Sequence, residues 1–379
     1  MPREPLYRAL VSLAQEGRVY LPELPQGVAV YKRPAWIAEN WVAQALGRLA
    51  LTPGAAPPLH LDDMLARVQK RRRLELSAEQ AQAVTAALKE KVLVLTGGPG
   101  TGKTTIVSCI LDLYHHLGAR VLLMAPTGRA AKRLSETTGH PASTIHRALE
   151  FSPQTGGFKK GLDEPFKAEV IIVDETSMVD IYLMYHLLRA VPSQARLVLV
   201  GDAHQLPAVG PGNVLKDLMD SGVVTVARLT QIYSQARESL IVVNAHRINQ
   251  GVFPTLPKPG GGKRDFVFLE YDDPMELKAR LLDLVAVDLP RRRYDPRRDI
   301  QVISPMHRGP LGVQTLNHEL QARLNAQGAP FTWGGRTFRL GDKVMQLKNN
   351  YLKEVFNGDI GLVCGFLPAT GQIDRKSVV

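Results

Sequence analysis

The chain has 379 residues, of which 45% are hydrophobic and 22% are charged, a composition typical of a globular protein with two or three domains. Its 47 Lys and Arg residues outnumber its 36 Asp and Glu residues, for a formal net charge of +11. This excess favours a polyanionic partner such as nucleic acid. The two cysteines, Cys109 and Cys364, exclude a disulfide framework or a zinc site and favour a reducing compartment.

Residues 1–73 predict a small helical or winged N-terminal region. Residues 19–21 and 28–31 favour short strands, and residues 35–51 favour a helix. The basic run 70–73 is more typical of a solvated helix face than of a binding site. The first twenty residues lack the apolar core of a signal peptide, and no run approaches 18 apolar residues, so we expect a cytoplasmic protein without a membrane partner.

Four short apolar runs then alternate with amphipathic helices between residues 74 and 230. They lie at 92–95, 121–125, 170–173 and 197–200. Continuous apolar runs of this length are typical of parallel strands that are buried on both faces. The predicted fold class is therefore α/β, with a parallel sheet wound by helices on both sides.

A glycine-rich loop follows the first of these runs and precedes an apolar-faced helix. Its residues are Gly97, Gly98, Pro99, Gly100, Thr101, Gly102, Lys103, Thr104 and Thr105. Glycines let several backbone N–H groups converge on one phosphate, and the helix N-terminus adds partial positive charge. This P-loop pattern predicts a nucleoside triphosphate site in which Lys103 reaches the β- and γ-phosphates and the Thr104 hydroxyl holds Mg²⁺.

Acidic and amide side chains follow two of the other runs. Asp174 and Glu175 end the third run, where Asp174 can hold Mg²⁺ and Glu175 can polarise the attacking water. The alternative for this pair is an acidic helix cap. Gln205 follows the fourth run, where it can sense the γ-phosphate, and Gln80 stands at the capping-box position after Ser77.

Six motifs occur in one order along the chain. They are Leu-Ser-x-Glu-Gln ending at Gln80, the P-loop, Ala-Pro-Thr-Gly-Arg-Ala-Ala from Ala125, Ser-Thr-Ile-His-Arg from Ser143, Val-Asp-Glu-Thr-Ser-Met from Val173, and Val-Gly-Asp-x-x-Gln-Leu-Pro from Val200. The set resembles the RecD family of superfamily 1 helicases, the α-subunit type of exodeoxyribonuclease V, from about residue 74 to 361. The resemblance implies an ATP- and Mg²⁺-dependent DNA helicase that moves 5′ to 3′ in recombination and repair. Its implied partners are single-stranded DNA and DNA with a 5′ single-stranded tail.

The same resemblance implies a role for individual residues. Gln80 reads the adenine edge, Lys103 and Thr104 bind phosphate and Mg²⁺, Asp174 and Glu175 hold the metal and activate water, and Gln205 senses the γ-phosphate. The implied single-strand contacts are Thr127, Gly128, Arg129, Ser143, Thr144, His146 and Arg147. The alternatives are purely structural roles: a helix cap for Gln80 and Thr127 and a core histidine for His146.

The resemblance also implies a division into domains. Residues 74–230 form a first RecA-like motor domain, with a strand-separating β-hairpin inserted at about 150–168. Residues 231–327 begin a second motor domain, and residues 328–379 form part of an SH3-like β insert. The sequence itself predicts helices at 241–248 and 274–289 and strands at 300–304, 331–333, 337–340, 343–347 and 360–366, with a turn at Asn357-Gly358.

Two departures from the family pattern bear on activity. Ser234 occupies the place of an arginine that reaches the γ-phosphate, and Arg237, three residues on, is a candidate substitute. The later family motifs are absent before Val379, so we expect a truncated product, a split gene or a fragment. The hypotheses are a working motor, completed where needed by another polypeptide, or a nucleotide- and DNA-binding module with little turnover. An unrelated P-loop ATPase is disfavoured by the ordered motifs.

Overall fold

The computed structural model describes residues 3–25, 27–53, 60–152, 156–231, 239–256, 265–347, 349–350, 353, 355–367 and 372–377. The chain divides into two compact units, residues 1–266 and 267–379. None of the helices within these described ranges is both long and apolar enough to cross a membrane.

The first unit begins with three helices and four very short strands. These are α1 (Arg3–Gln15), β1 (Val19–Tyr20), β2 (Glu23–Leu24), β3 (Gly27–Val28), β4 (Tyr31–Lys32), α2 (Arg33–Leu51) and α3 (Leu61–Arg72). Strand β1 pairs antiparallel with β4, and β2 pairs antiparallel with β3. The expected strand at 28–31 is thus divided between two small ladders, and the helix expected at 35–51 is confirmed as α2.

A six-stranded parallel sheet forms the centre of this unit. Its strands are β5 (Val92–Gly97), β6 (Val121–Ala125), β7 (Ala142–Thr144), β10 (Val170–Val173), β11 (Arg196–Gly201) and β12 (Thr225–Leu229), in the order β12-β5-β11-β10-β6-β7. A small antiparallel hairpin, β8 (Phe151–Ser152) and β9 (Gly157–Phe158), stands apart from the sheet. The four predicted apolar runs are all strands of this sheet, which confirms the α/β fold class.

Helices cover both faces of the sheet. They include α4 (Ala78–Lys89), α5 (Lys103–His116), α6 (Gly128–Thr138), α7 (Ile145–Ala148), α8 (Ile181–Ala190) and α9 (Val214–Ser221), and helix α10 (Leu240–Asn249) follows β12 in the chain. Along β5, Val92 and Val94 join one buried cluster with side chains of α2 and α8, whereas Leu93 and Leu95 join another with side chains of α4 and α5. Alternate side chains therefore enter opposite cores, which is why the strand is apolar at every position.

An ion pair joins helix α3 to the helix that follows the P-loop. The Asp112 carboxylate of α5 accepts from Arg72 at 2.5 Å and from Arg71 at 2.8 Å, and its side chain is only 12% exposed. Two of the four residues in the basic run at 70–73, Arg71 and Arg72, thus form a structural ion pair, while Lys70 and Arg73 are exposed. Burial raises the pKa of Asp112, but the hydrogen bonds from Arg72 and Arg71 lower it more, so its pKa lies below the ordinary value.

We expect Asp112→Asn to lower the free energy of unfolding by roughly 1–3 kcal/mol at neutral pH, because two guanidinium groups lose their charged acceptor. The folded-state pKa of Asp112 is depressed, so its stabilisation is present above the unfolded value and is lost as pH falls through the folded value. Urea titrations between pH 3 and pH 7 will check this. Asp220→Asn, at the exposed Lys216–Asp220 pair, is the matched control and should change stability by less than about 1 kcal/mol. A constant Asp112→Asn effect at all pH values would contradict the prediction.

The second unit combines helices with antiparallel strands. Its helices are α11 (Pro274–Asp283), which widens into a π-helical turn at Leu284–Asp288 and continues as α12 (Leu289–Arg291), and α13 (Val313–Leu324). Its strands are β13 (Pro330–Trp333), β14 (Arg336–Arg339), β15 (Lys343–Met345), β16 (Ile360–Leu367) and β17 (Gln372–Ser377). Strands β13 and β14 form a hairpin, and β15, β16 and β17 form a second antiparallel sheet. The predicted turn at Asn357-Gly358 is confirmed, with φ of +91° at Gly358.

One predicted strand of this unit is wrong. Residues 300–304 have the apolar character of a strand, but they pair with no described strand, and Ile303 is 88% exposed. The Ile300 carbonyl instead accepts from the Lys343 ammonium at 2.6 Å. A parallel strand depends on neighbours that the local sequence does not reveal, so an apolar run alone over-predicts it.

Candidate nucleotide and DNA site

The P-loop connects β5 to α5. Gly100 and Gly102 have φ of +77° and +84°, a region in which L side chains are strained, and Gly102 stands immediately before the first turn of α5. The Lys103 ammonium turns back on the loop and donates to the carbonyls of Gly97 at 2.6 Å and Gly98 at 3.1 Å. The donors that a triphosphate needs are therefore gathered at one helix N-terminus, with the lysine held by the loop itself.

Gln80 links helix α4 to this loop. Its side-chain oxygen accepts from the Ser77 N–H at 3.1 Å, its backbone N–H donates to the Ser77 hydroxyl at 3.3 Å, and its amide nitrogen donates to the Thr101 carbonyl at 3.2 Å. The predicted capping box is confirmed. Gln80 is only 2% exposed and braces the P-loop, while its role in reading adenine stays a prediction.

The neighbouring Glu79 was not singled out by the sequence analysis. Its carboxylate accepts from the Thr230 N–H at 2.9 Å and from the Thr230 hydroxyl at 2.6 Å. These hydrogen bonds lower the pKa of Glu79. Glu79 therefore fixes the residue that follows β12, directly before the segment with Ser234 and Arg237. Both Ser234 and Arg237 lie outside the described residues.

Asp174 and Glu175 follow β10 as predicted. The Asp174 N–H donates to the Met124 carbonyl at 2.9 Å, and the Glu175 N–H donates to the Asp174 carboxylate at 2.9 Å. Glu175 has φ of +51°, in the left-handed region. Burial raises the pKa of both carboxyls; the charge of Asp174 raises that of Glu175 further, and Lys103 opposes both shifts. The lysine and the two carboxylates thus share one electrostatic site.

The end of β11 lies beside the end of β5, with Gly201 opposite Thr96. Asp202 follows there, is 3% exposed, and accepts from the His204 N–H at 3.0 Å. Gln205 is exposed at the tip of this turn, and its N–H donates to the Asp202 carbonyl at 3.1 Å. Gln205 is thus on the same edge of the sheet as the P-loop, and its sensor role stays a prediction.

The candidate DNA contacts lie at the ends of β6 and β7, which pair with Ala125 opposite Thr144. The Thr127 hydroxyl caps α6 by accepting from the Ala130 N–H, and the Thr144 hydroxyl caps α7 by accepting from the Arg147 N–H. The cap alternative is therefore correct for Thr127, whose DNA role is untested. Gly128 is buried and Ser143 half-buried.

Two arginines of these motifs are free to meet a ligand. Arg129 and Arg147 are exposed, and neither guanidinium group makes a hydrogen bond or ion pair with the described residues. By contrast, His146 is half-buried against Phe151 and Phe158, with ring centroids 6.0 and 5.7 Å away. Burial lowers the pKa of His146. The packed-core interpretation thus describes the contacts of His146, while its DNA role stays untested.

The β8–β9 hairpin falls within the predicted insert. Phe158 packs on the His186 ring of α8, with ring centroids 4.7 Å apart, so aromatic contacts join the hairpin to helix α8. Next to it, Lys160 pairs with Glu150 at 3.4 Å and with Glu164 at 2.5 Å. Aromatic packing and ion pairs therefore anchor the base of the insert. Its strand-separating role stays a prediction.

Two family models match this chain. Residues 80–211 match a model described as an AAA domain, and residues 316–377 match one described as an ATP-dependent RecD-like DNA helicase SH3 domain. The ATP-dependent RecD2 DNA helicase of Deinococcus radiodurans is 38% identical over 359 residues, which cover 95% of this chain and 46% of the relative. The RecBCD enzyme subunit RecD of Mycolicibacterium smegmatis is 33% identical over 321 residues, which cover 75% of this chain and 57% of the relative.

This chain belongs to the RecD-like helicase family. It spans about half the length of the curated relatives that it matches. Among solved structures, a Pif1 helicase from a structure of two coordinating Pif1 helicases at forked double-stranded DNA aligns over 80% of this chain and 76% of that chain, with a TM-score of 0.39 and 18% identity.

Within this RecD-like site, sequence reasoning missed residues that act across the fold. Besides Glu79 and Asp202, these include Arg133 of α6, whose positive charge, like that of Lys103, partly opposes the rise that burial causes in the pKa of Asp174 and Glu175. Arg133 stands four residues after Arg129, within the same motif-bearing helix. The four-residue spacing from Arg129 was a signal in the sequence, but the two carboxylates after β10 that Arg133 faces could be identified only from the order of strands in the sheet.

Proposed function

We propose that this RecD-like chain binds Mg²⁺-ATP at its P-loop and uses hydrolysis to move 5′ to 3′ along single-stranded DNA in recombination and repair. The observation that supports this best is the joint placement of Lys103, Asp174 and Glu175 at one edge of the parallel sheet, where burial raises the pKa of both carboxyls and the positive charge of Lys103 partly opposes that rise. A lysine and two carboxylates at a P-loop suit phosphoryl transfer to water.

The residues of the site divide the work between binding and proton transfer. The loop carbonyls hold Lys103 until phosphate oxygens compete for its ammonium. The Thr104 hydroxyl and the Asp174 carboxylate would hold Mg²⁺, which neutralises phosphate charge when bound. Glu175, with its pKa raised by burial, is suited to accept a proton from water.

The proposed DNA path runs over the ends of β6 and β7. Exposed arginines and helix N-termini bind phosphodiesters without reading sequence, and Arg129 and Arg147 are available for this. DNA with a 5′ single-stranded tail is the substrate that fits the proposed direction. The domain division at residues 73, 230 and 327 belongs to the same proposal.

The test is ATP hydrolysis by the purified chain, with and without single-stranded DNA, beside Lys103→Ala. The proposal expects turnover that DNA stimulates and that Lys103→Ala abolishes, because the variant lacks the ammonium that meets the phosphates. Turnover that persists in Lys103→Ala would show that hydrolysis occurs elsewhere and would overturn the assignment.

We expect the double variant Arg129→Ala, Arg147→Ala to weaken single-stranded DNA binding. Each lost phosphate contact should reduce the slope of log affinity against log salt by about 0.7, so the double variant should lose up to about 1.4. Fluorescence anisotropy between 50 and 300 mM salt measures the slope. Arg120→Ala is the matched control, since Arg120 is exposed at the opposite end of β6 beside Glu169. Equal slopes for the double variant and the wild type would exclude these arginines from the DNA path.

A second candidate function is a nucleotide- and DNA-binding module with little or no turnover. Ser234 favours it, because a missing arginine finger costs roughly 10³-fold or more in hydrolysis. Tight binding of ATP and DNA without hydrolysis is the result that would select this function over the motor.

A further inference from the structure

His246 of helix α10 packs directly on the P-loop. A Cβ atom built on Gly98 would lie 2.6 Å from Cε1 and 3.1 Å from Nε2 of the His246 ring, and the three nearest atoms all belong to this ring. Gly98 has no positive φ that would by itself require glycine. The imidazole of His246 therefore explains why the second residue of the loop has no side chain.

The Nε2 atom of His246 is buried but lacks a hydrogen-bond partner among the described residues. Buried polar atoms in native proteins are nearly always paired, and exceptions call for an explanation. This one lies against a loop whose hydrogen bonds must change when a nucleotide binds. An acceptor that becomes available only when the nucleotide binds accounts for the unpaired atom.

The Gly98 carbonyl is the group whose hydrogen bonds must change. It accepts from the Lys103 ammonium at 3.1 Å and from the Thr101 hydroxyl at 2.9 Å. Phosphate oxygens that take the Lys103 ammonium leave this carbonyl with one donor fewer. The His246 ring already touches Gly98, and its Nε2 atom has no hydrogen-bond partner in the part of the chain that the structure describes.

Helix α10 presents His246 from a fixed position. The Asp265 carboxylate accepts from the Ser239 hydroxyl at 2.6 Å and from the Leu240 N–H at 3.0 Å at the start of the helix. Asn244 is 1% exposed and exchanges two hydrogen bonds with the backbone of Thr255, at 2.9 and 2.6 Å. Because these contacts anchor helix α10, the His246 ring keeps its position when the P-loop shifts and can form a new contact with it.

We propose that His246 is a positioning residue of the nucleotide site. Its ring holds the P-loop at Gly98, and its Nε2–H donates to the Gly98 carbonyl once a nucleoside di- or triphosphate has drawn Lys103 away. This inference rests on the proposed nucleotide binding. The ring thereby stabilises the occupied loop over the empty one.

The experiment measures binding of Mg²⁺-ATP by titration calorimetry, with thermal stability of the nucleotide-free protein alongside. His246→Phe keeps an aromatic ring but lacks the nitrogen, so we expect affinity to fall about three- to tenfold, the effect of one neutral hydrogen bond. His246→Gln, which restores an N–H donor, should recover part of it. The nucleotide-free His246→Phe protein should be as stable as the wild type, since no hydrogen bond is lost there. Ile248→Ala, an exposed position on α10, is the control for general perturbation of the helix.

A double-mutant cycle tests the packing contact. Gly98→Ala places a methyl group in the ring of His246 and should weaken Mg²⁺-ATP binding; adding His246→Ala should relieve that loss, because only this ring obstructs the methyl group. Unchanged affinity in His246→Phe, or strictly additive effects in the cycle, would overturn the inference while wild-type binding upholds the proposed site. A wild-type protein that binds no Mg²⁺-ATP would overturn both.

Discussion

Glu175→Gln will lower DNA-stimulated ATP turnover by about 10²- to 10⁴-fold, the usual contribution of a positioned general base. The amide keeps the shape of the side chain but accepts no proton at the pH of the assay. Binding of Mg²⁺-ATP should be retained, because Lys103 and Thr104 are unchanged. Steady-state hydrolysis together with calorimetric binding of ATP separates the two effects.

The matched control for this variant is Glu169→Gln. Glu169 stands directly before β10, at the opposite end of the strand that Glu175 follows, and its side chain is 55% exposed. It should leave turnover unchanged. If Glu175→Gln hydrolysed ATP at the wild-type rate, the base would have to be another group, and Asp202, whose charge raises the pKa of Glu175, would be the next to substitute.

The elements that local sequence determines were predicted well. The apolar run of β10 and the P-loop after β5 can be recognised from the sequence alone, because continuous burial and glycine-dependent backbone turns depend on residues that are adjacent in the chain. The same holds for the capping box of Ser77 and Gln80, whose partners are three residues apart.

Features that depend on distant partners were not predicted. Strand β17 forms because β16 offers a ladder edge to Gln372–Ser377, whereas residues 300–304 find no such neighbour among the strands that the structure describes. The contact of Glu79 with Thr230 spans 151 residues, and that of His246 with Gly98 spans 148. The motifs therefore identify the residues of the candidate site, but the contacts that hold those residues in place depend on the order of strands in the sheet.

Ser234→Arg will raise DNA-stimulated turnover by about 10³-fold, because it supplies the arginine that the family places at this position. The register of β12 places the start of the segment that carries residue 234 beside the P-loop. Leu229 lies opposite Gly97 at the start of the P-loop, and Glu79 holds Thr230 beside it. Residue 234 follows Thr230 by four residues, a stretch of chain that spans at most about 14 Å.

Arg237→Ala in the wild-type background decides whether the chain already has a substitute. If Ser234→Arg raises turnover and Arg237→Ala has little effect, the natural chain lacks an arginine finger. It then acts mainly as the nucleotide- and DNA-binding module with little turnover. The opposite pattern, no gain from Ser234→Arg and a loss of about 10³-fold from Arg237→Ala, would contradict the prediction and assign the finger to Arg237. Glu79→Ala should blunt the gain in Ser234→Arg, since the new arginine acts only if the segment that carries it remains anchored at Thr230.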